Sequence, residues 1–192
     1  IEKHLKQAVE DYDIQNGAGA IAMDVNTGAI LAMVSLDGYD LNNFLAVSDK
    51  AQAVVDGAAT PEEAQRLLAE AQTRQWRNKA LSDTYEPGST FKLVTLAAAL
   101  DCGAVTENSS FYCGGSLMVG DWKEPINCAN TSGHGMQTLT EALMNSCNVA
   151  MMQIAQSIGM DRFYNFYKAF GLAEPTGIDL PGEGKGQFHK LD

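Results

Sequence analysis

The chain has 192 residues, enough for one domain with a sizeable core. A hydrophobic content of 45% with 19% charged residues is that of an ordinary globular protein. The net charge of −11 argues against nucleic-acid binding and against electrostatic attraction to an anionic membrane. No apolar run reaches membrane-spanning length, and the N-terminus lacks a signal-peptide pattern.

In chain order, residues 1–14 place Ile1, Leu5, Ala8 and Val9 at the spacing of a short amphipathic helix. Gly17 to Asp24 reads as a strand, Asn26-Thr27-Gly28 as a turn and Ala29 to Ser35 as the partner strand. Asn42 and Asn43 read as turn residues. Residues 46–76 are rich in Ala, Gln and Glu. Within them Thr60-Pro61-Glu62-Glu63 predicts a helix start, with Thr60 as cap and Glu63 closing a capping box. Trp76 is expected to pack and not to serve as a ligand platform.

Tyr85-Glu86-Pro87-Gly88-Ser89-Thr90-Phe91-Lys92 then leads into the apolar run Leu93 to Leu100. Pro87 and Gly88 interrupt any regular element, so a helix is predicted over 89–102, with Gly103 as its stop. It is apolar on nearly every face, which predicts burial all round. Ser89 and Lys92 stand at i and i+3 and so leave the same side of one helical turn. A serine hydroxyl becomes a useful nucleophile when a neighbouring base takes its proton, and a desolvated lysine can be that base. The helix N-terminus adds N–H groups that favour a developing oxyanion.

Cys102 is expected to pack as a small apolar residue. Glu107 to Asn130 reads as a glycine-punctuated, β-rich excursion flanked by Cys113 and Cys128, which could face each other across a hairpin as free thiols or as a disulfide. None of the four cysteines has metal-type CxxC spacing, and His4, His134 and His189 are scattered, so no metal site is expected and His134 is assigned a structural role in its loop. Thr138 and Glu141 have capping-box spacing. Helices follow over 139–145 and 148–158, with Ser146-Cys147-Asn148 at the junction, and a last helix runs from Asp161 to Phe170 before Gly171. Phe163, Phe166, Tyr167 and Phe170 recur on it at helical spacing, the mark of core packing.

The stretch Tyr85 to Lys92 closely resembles the nucleophile motif of penicillin-binding proteins, above all the class B transpeptidases, and Ser146-Cys147-Asn148 resembles their second motif. The resemblance continues through Gly17 to Asn43, Arg77 to Asp83, His134-Gly135 and Thr176 to Glu183, and so covers most of the chain in the family's order. It implies an α+β fold of the penicillin-binding and serine β-lactamase type, with an antiparallel sheet packed against a helical subdomain. Residues 1–192 would be a partial transpeptidase domain: first sheet strands over 17–35, the nucleophile helix over 89–102 and a helical subdomain to about 171. The third motif, Lys-Thr/Ser-Gly, is not among these residues, and Glu183-Gly184-Lys185-Gly186 does not replace it. The expectation is therefore an excised piece, slow or inactive alone, whose parent carries an N-terminal membrane anchor and stands on the extracytoplasmic face of the bacterial cell membrane.

By this resemblance Ser89 is the nucleophile toward a D-Ala-D-Ala peptide, Lys92 its base, Ser146 a proton relay to the leaving amine and Asn148 a ligand for the substrate amide. The implied partners are peptidoglycan stem peptides, β-lactam antibiotics and other cell-wall synthesis proteins, with no cofactor and no nucleic acid. Alternatives are a β-lactam sensor or scaffold domain, and a serine β-lactamase. The latter needs a group to activate the deacylating water, and after Asn148 only Asp161 and Glu174 are available, each with a structural explanation.

Overall fold

The computed structural model describes residues 1–187 apart from Asn16 and Asp37. The expected scattered histidine His189 lies outside the described residues. The fold mixes helices and antiparallel strands, and the described residues divide into two compact units: 1–84 with 178–184, and Tyr85–Gly177 with 185–187.

The first unit opens with α1 (Glu2–Asp11) and the hairpin β1 (Gly19–Met23) and β2 (Ile30–Ser35). The turn between the strands works through local chemistry: the Asp24 carboxylate accepts the Asn26 N–H at 2.8 Å, and Gly28 takes a φ of 73°. A register shift after Ala22 bulges the strand just before it. The Ala/Gln/Glu-rich stretch forms two helices, α2 (Asp49–Asp56) and α3 (Pro61–Gln75). The Thr60 hydroxyl accepts the Glu63 N–H at 3.2 Å as expected. The return bond of the predicted box differs: the Glu63 carboxylate reaches one residue further back, to the Ala59 N–H at 2.9 Å. Trp76 packs against Phe44 with ring centroids 6.2 Å apart, and its indole N–H donates to the Phe44 carbonyl at 2.8 Å. The short α4 (Lys79–Ser82) packs on the hairpin, and the returning segment pairs with it where the Gly184 N–H meets the Leu81 carbonyl at 2.9 Å.

The second unit is built around α5 (Lys92–Asp101) and α7 (Asn148–Ile158), with α6 (Leu139–Met144), α8 (Met160–Ala169) and two small antiparallel pairs beside them. One pair joins β3 (Ser110–Cys113) to β6 (Gly135–Thr138); the other joins β4 (Ser116–Leu117) to β5 (Ile126–Asn127). Both α7 and α8 end where predicted, at Gly159 and Gly171, whose φ values of 80° and 73° no β-branched residue would adopt cheaply. The Thr138–Glu141 capping box is complete in both directions. The core gathers Ala98 and Ala99 of α5 with Val149, Ala150, Ile154 and Ile158 of α7, closed by Val105, Leu139 and Ala142.

Two expectations change here. The nucleophile helix does not start as an α-helix: Gly88–Phe91 forms a 3-10 turn, and Lys92 is the first α-helical residue. Gly88, at φ 56°, supplies the kink. Nor is α5 buried all round. Leu93 and Leu100 are 59% and 40% exposed, because α7 and α8 cover only the face carrying Thr95, Ala98 and Ala99. Phe170 likewise is half-exposed, while Phe163 and Phe166 pack on the core as predicted. Among the described residues no helix is long and apolar enough to cross a membrane.

Candidate active site

All the residues expected to carry chemistry belong to the second unit, and each is positioned by a different local device. Ser89 rides on the 3-10 turn. That turn is anchored by Phe91, whose ring lies 6.2 Å from Phe163 and 6.4 Å from Tyr167 of α8, measured between centroids. Lys92 follows at the head of α5. Ser146 sits in the tight link between α6 and α7 with φ 47°, a left-handed conformation that costs a non-glycine residue about 1–2 kcal/mol. Asn148 is the first residue of α7, and the Asn127 carbonyl at the end of β5 accepts its side-chain amide at 3.2 Å.

These residues form one connected network. The Lys92 Nζ donates to the Ser146 hydroxyl at 2.9 Å, to the Ser146 carbonyl at 2.6 Å and to the Asn148 Oδ1 at 2.7 Å. The Ser146 hydroxyl in turn donates to the Ser89 Oγ at 2.9 Å. Three acceptors around one ammonium use all of its protons, so the resting geometry holds Lys92 as a donor, with Ser146 between it and Ser89. Burial pushes the Lys92 pKa below 10.5, against the pull of negative charge at Cys128 and Cys147. The base expected beside Ser89 thus connects to it through a second serine, and Ser89 itself is exposed.

Sequence reasoning missed two features. One is the Asn127 carbonyl, which fixes the Asn148 amide from a strand too short to announce itself. The other lies immediately behind the network. Cys113, Cys128 and Cys147 are buried and all four cysteines are free, so the possible Cys113–Cys128 disulfide is absent. Instead these three sulfurs and a ring nitrogen of His134 lie within 4.8 Å of one another. The expectation of no metal-type grouping rested on linear spacing, and the fold overrides it. Burial raises the Cys147 thiol. Burial would raise Cys128 as well, but the N–H groups of Asn130, Asn148 and Val149 converge on its sulfur and bring it down to about 6.

Comparison with known proteins bears directly on this geometry. The sequence profile of the penicillin binding protein transpeptidase domain matches residues 18–191. The chain belongs to that family. Stage V sporulation protein D of Bacillus subtilis is 32% identical over 193 residues, which is 100% of this chain and 26% of the relative. Peptidoglycan D,D-transpeptidase MrdA of Escherichia coli is 30% identical over 195 residues, 98% of this chain and 28% of the relative. Among solved structures, penicillin-binding protein A from M. tuberculosis in an imipenem acyl-enzyme complex superposes with a TM-score of 0.68 at 28% identity, over 94% of this chain and 41% of that one. The chain therefore spans about a quarter of the length of the curated penicillin-binding relatives it matches.

Proposed function

We propose that the chain is the nucleophile-bearing part of a peptidoglycan D,D-transpeptidase. The single observation that carries this is the unbroken hydrogen-bonded path from Lys92 through Ser146 to Ser89, with Asn148 held beside it. Ser89 Oγ attacks the carbonyl of a D-Ala-D-Ala stem peptide. Its proton passes to Ser146 and on to a Lys92 that has gone neutral, and the terminal D-alanine leaves after taking a proton back along the same path. An amine from a neighbouring stem peptide then attacks the acyl-enzyme and completes the cross-link. Asn148 hydrogen-bonds the peptide amide, and the Ser89 N–H, at the head of the nucleophile helix, contributes to the oxyanion hole. β-Lactams acylate the same serine, since their strained amide offers the same carbonyl. The reaction takes place on the extracytoplasmic face of the bacterial cell membrane, alongside other cell-wall synthesis proteins.

This reading makes acylation depend on a neutral Lys92. The neutral fraction grows with pH, and because burial holds the lysine below 10.5 the growth levels off earlier than for an exposed lysine. In the intact protein, the acylation rate with a fluorescent penicillin is therefore expected to climb with pH and reach a plateau below 10.5. A pH-independent rate across that range would remove Lys92 from the proton path.

A further inference from the structure

One buried polar side chain of the second unit takes no part in the proton path. We propose that Gln137 is a positioning residue for acyl transfer: reaching inward from β6, it clamps the residues on both sides of Ser146 and so holds the Ser146 hydroxyl between Lys92 and Ser89. The clamp is a matter of geometry; its kinetic consequence rests on the transpeptidase reading.

The backbone shows why a clamp is needed. α6 ends in a Schellman motif: the Ser146 N–H donates to the Leu143 carbonyl and the Cys147 N–H to the Ala142 carbonyl, both at 2.9 Å. Ser146, at φ 47°, is the left-handed residue of that motif, the position that glycine fills most often. Glycine would take the turn without steric penalty, but it has no hydroxyl to accept from Lys92 and donate to Ser89. Serine therefore holds a conformation it does not favour, at the residue through which the proton path runs. Such a conformation persists only where the surroundings over-determine it.

Gln137 constrains both flanks of that residue. It pairs with Phe111 in the β3–β6 ladder, and it is only 3% exposed. Its Oε1 accepts the Asn145 Nδ2 at 2.9 Å, and Asn145 is the residue immediately before Ser146. The other end of the same amide, Nε2, is buried, has no hydrogen-bond partner among the described residues and lies beside the Cys147 sulfur. Cys147 follows Ser146 directly and caps α7, where its sulfur accepts the Ala150 N–H at 3.4 Å. One planar amide thus brackets the link. The bond to Asn145 also spans α6, from the strand before it to the residue after it, so the end of α6 cannot unwind without breaking it.

Packing alone does not account for a glutamine here. A buried amide with one end unpaired is less favourable than an apolar side chain of the same shape. Asn145 does not require the bond either, because it is exposed and water can serve its amide. What the bond does fix is the short link between the two helices, and the group aimed by that link is Ser146.

The test uses Gln137→Met in the intact protein, which keeps the length of the side chain and removes its polar end. Acylation by a penicillin, followed up to saturation, separates binding from the chemical step. The acylation rate constant is expected to fall about 10- to 100-fold, the consequence of a displaced proton relay. Affinity for the penicillin should stay within a few-fold, because the Asn127 carbonyl anchors Asn148 independently. The melting temperature should hold or rise, since a half-paired buried amide is gone. Hydrogen exchange at the Ser146 and Cys147 amides should quicken about tenfold or more, with the Ile154 amide in mid-α7 unchanged. Asn145→Ala removes the same bond from the exposed side and should move every kinetic and exchange readout in the same direction; it carries the test if Gln137→Met does not fold. The double variant should acylate no more slowly than Gln137→Met alone. Exchange at Ser146 and Cys147 equal to that of the parent overturns the clamp. Faster exchange with an unaltered acylation rate constant overturns the positioning role. Faster exchange in a protein whose Ser89 is unreactive even before substitution supports the clamp and counts instead against the transpeptidase reading.

Discussion

Replacing Lys92 by Met is expected to slow acylation of Ser89 by about 100- to 10,000-fold, the contribution of a positioned general base. Methionine nearly matches the aliphatic stem of lysine but offers no proton acceptor, so the path through Ser146 ends at a hydroxyl. The substitution also strips donors from the Ser146 carbonyl and the Asn148 Oδ1. Both groups are near enough to the surface for water to replace the lysine, which keeps the cost to the fold small beside the kinetic loss. The check is a rate comparison at saturating penicillin with thermal unfolding measured in parallel. A variant that acylates within a few-fold of the parent would show that Ser89 takes its base from elsewhere.

The second large effect is structural. Ile154→Ala should destabilise the second unit by about 2–5 kcal/mol, because the removed carbons leave a cavity among groups that cannot collapse to fill it. Ile154 is fully buried between α5 and the other elements of the core. For a chain of this length the loss corresponds to a fall in melting temperature on the order of 10 °C. Leu93→Ala, on the same pair of packed helices but 59% exposed, should cost far less. Equal losses at the two positions would mean that α5 is covered on its outer face as well, as its all-round apolar sequence predicts.

That contrast shows where sequence reasoning reached and where it stopped. Ser89 and Lys92 could be paired on one helical turn from their spacing, as could Ser146 and Asn148 across a helix start, since these are local relations. The meeting of the two pairs is a tertiary fact that no local pattern encodes, and only the resemblance to a family brought it into view. Capping residues were legible because Thr60 and Thr138 act on N–H groups three positions away. The 3-10 turn under Ser89 was not, because Pro87 and Gly88 mark an interruption without specifying how the chain resumes. The cysteine and histidine cluster was least legible of all. Its members come from the ends of two strands, a loop and a helix cap, and they become neighbours only when β3 pairs with β6 and α7 packs behind them.

Whether Ser89 is an acylating nucleophile can be read from intact mass spectrometry of the protein before and after incubation with a penicillin. A gain of one penicillin that persists for hours, maps to Ser89 and vanishes in Ser89→Ala is expected. A transient gain accompanied by hydrolysed drug would make the protein a β-lactamase. No gain at all in the intact protein, with the fold retained, would contradict the catalytic reading.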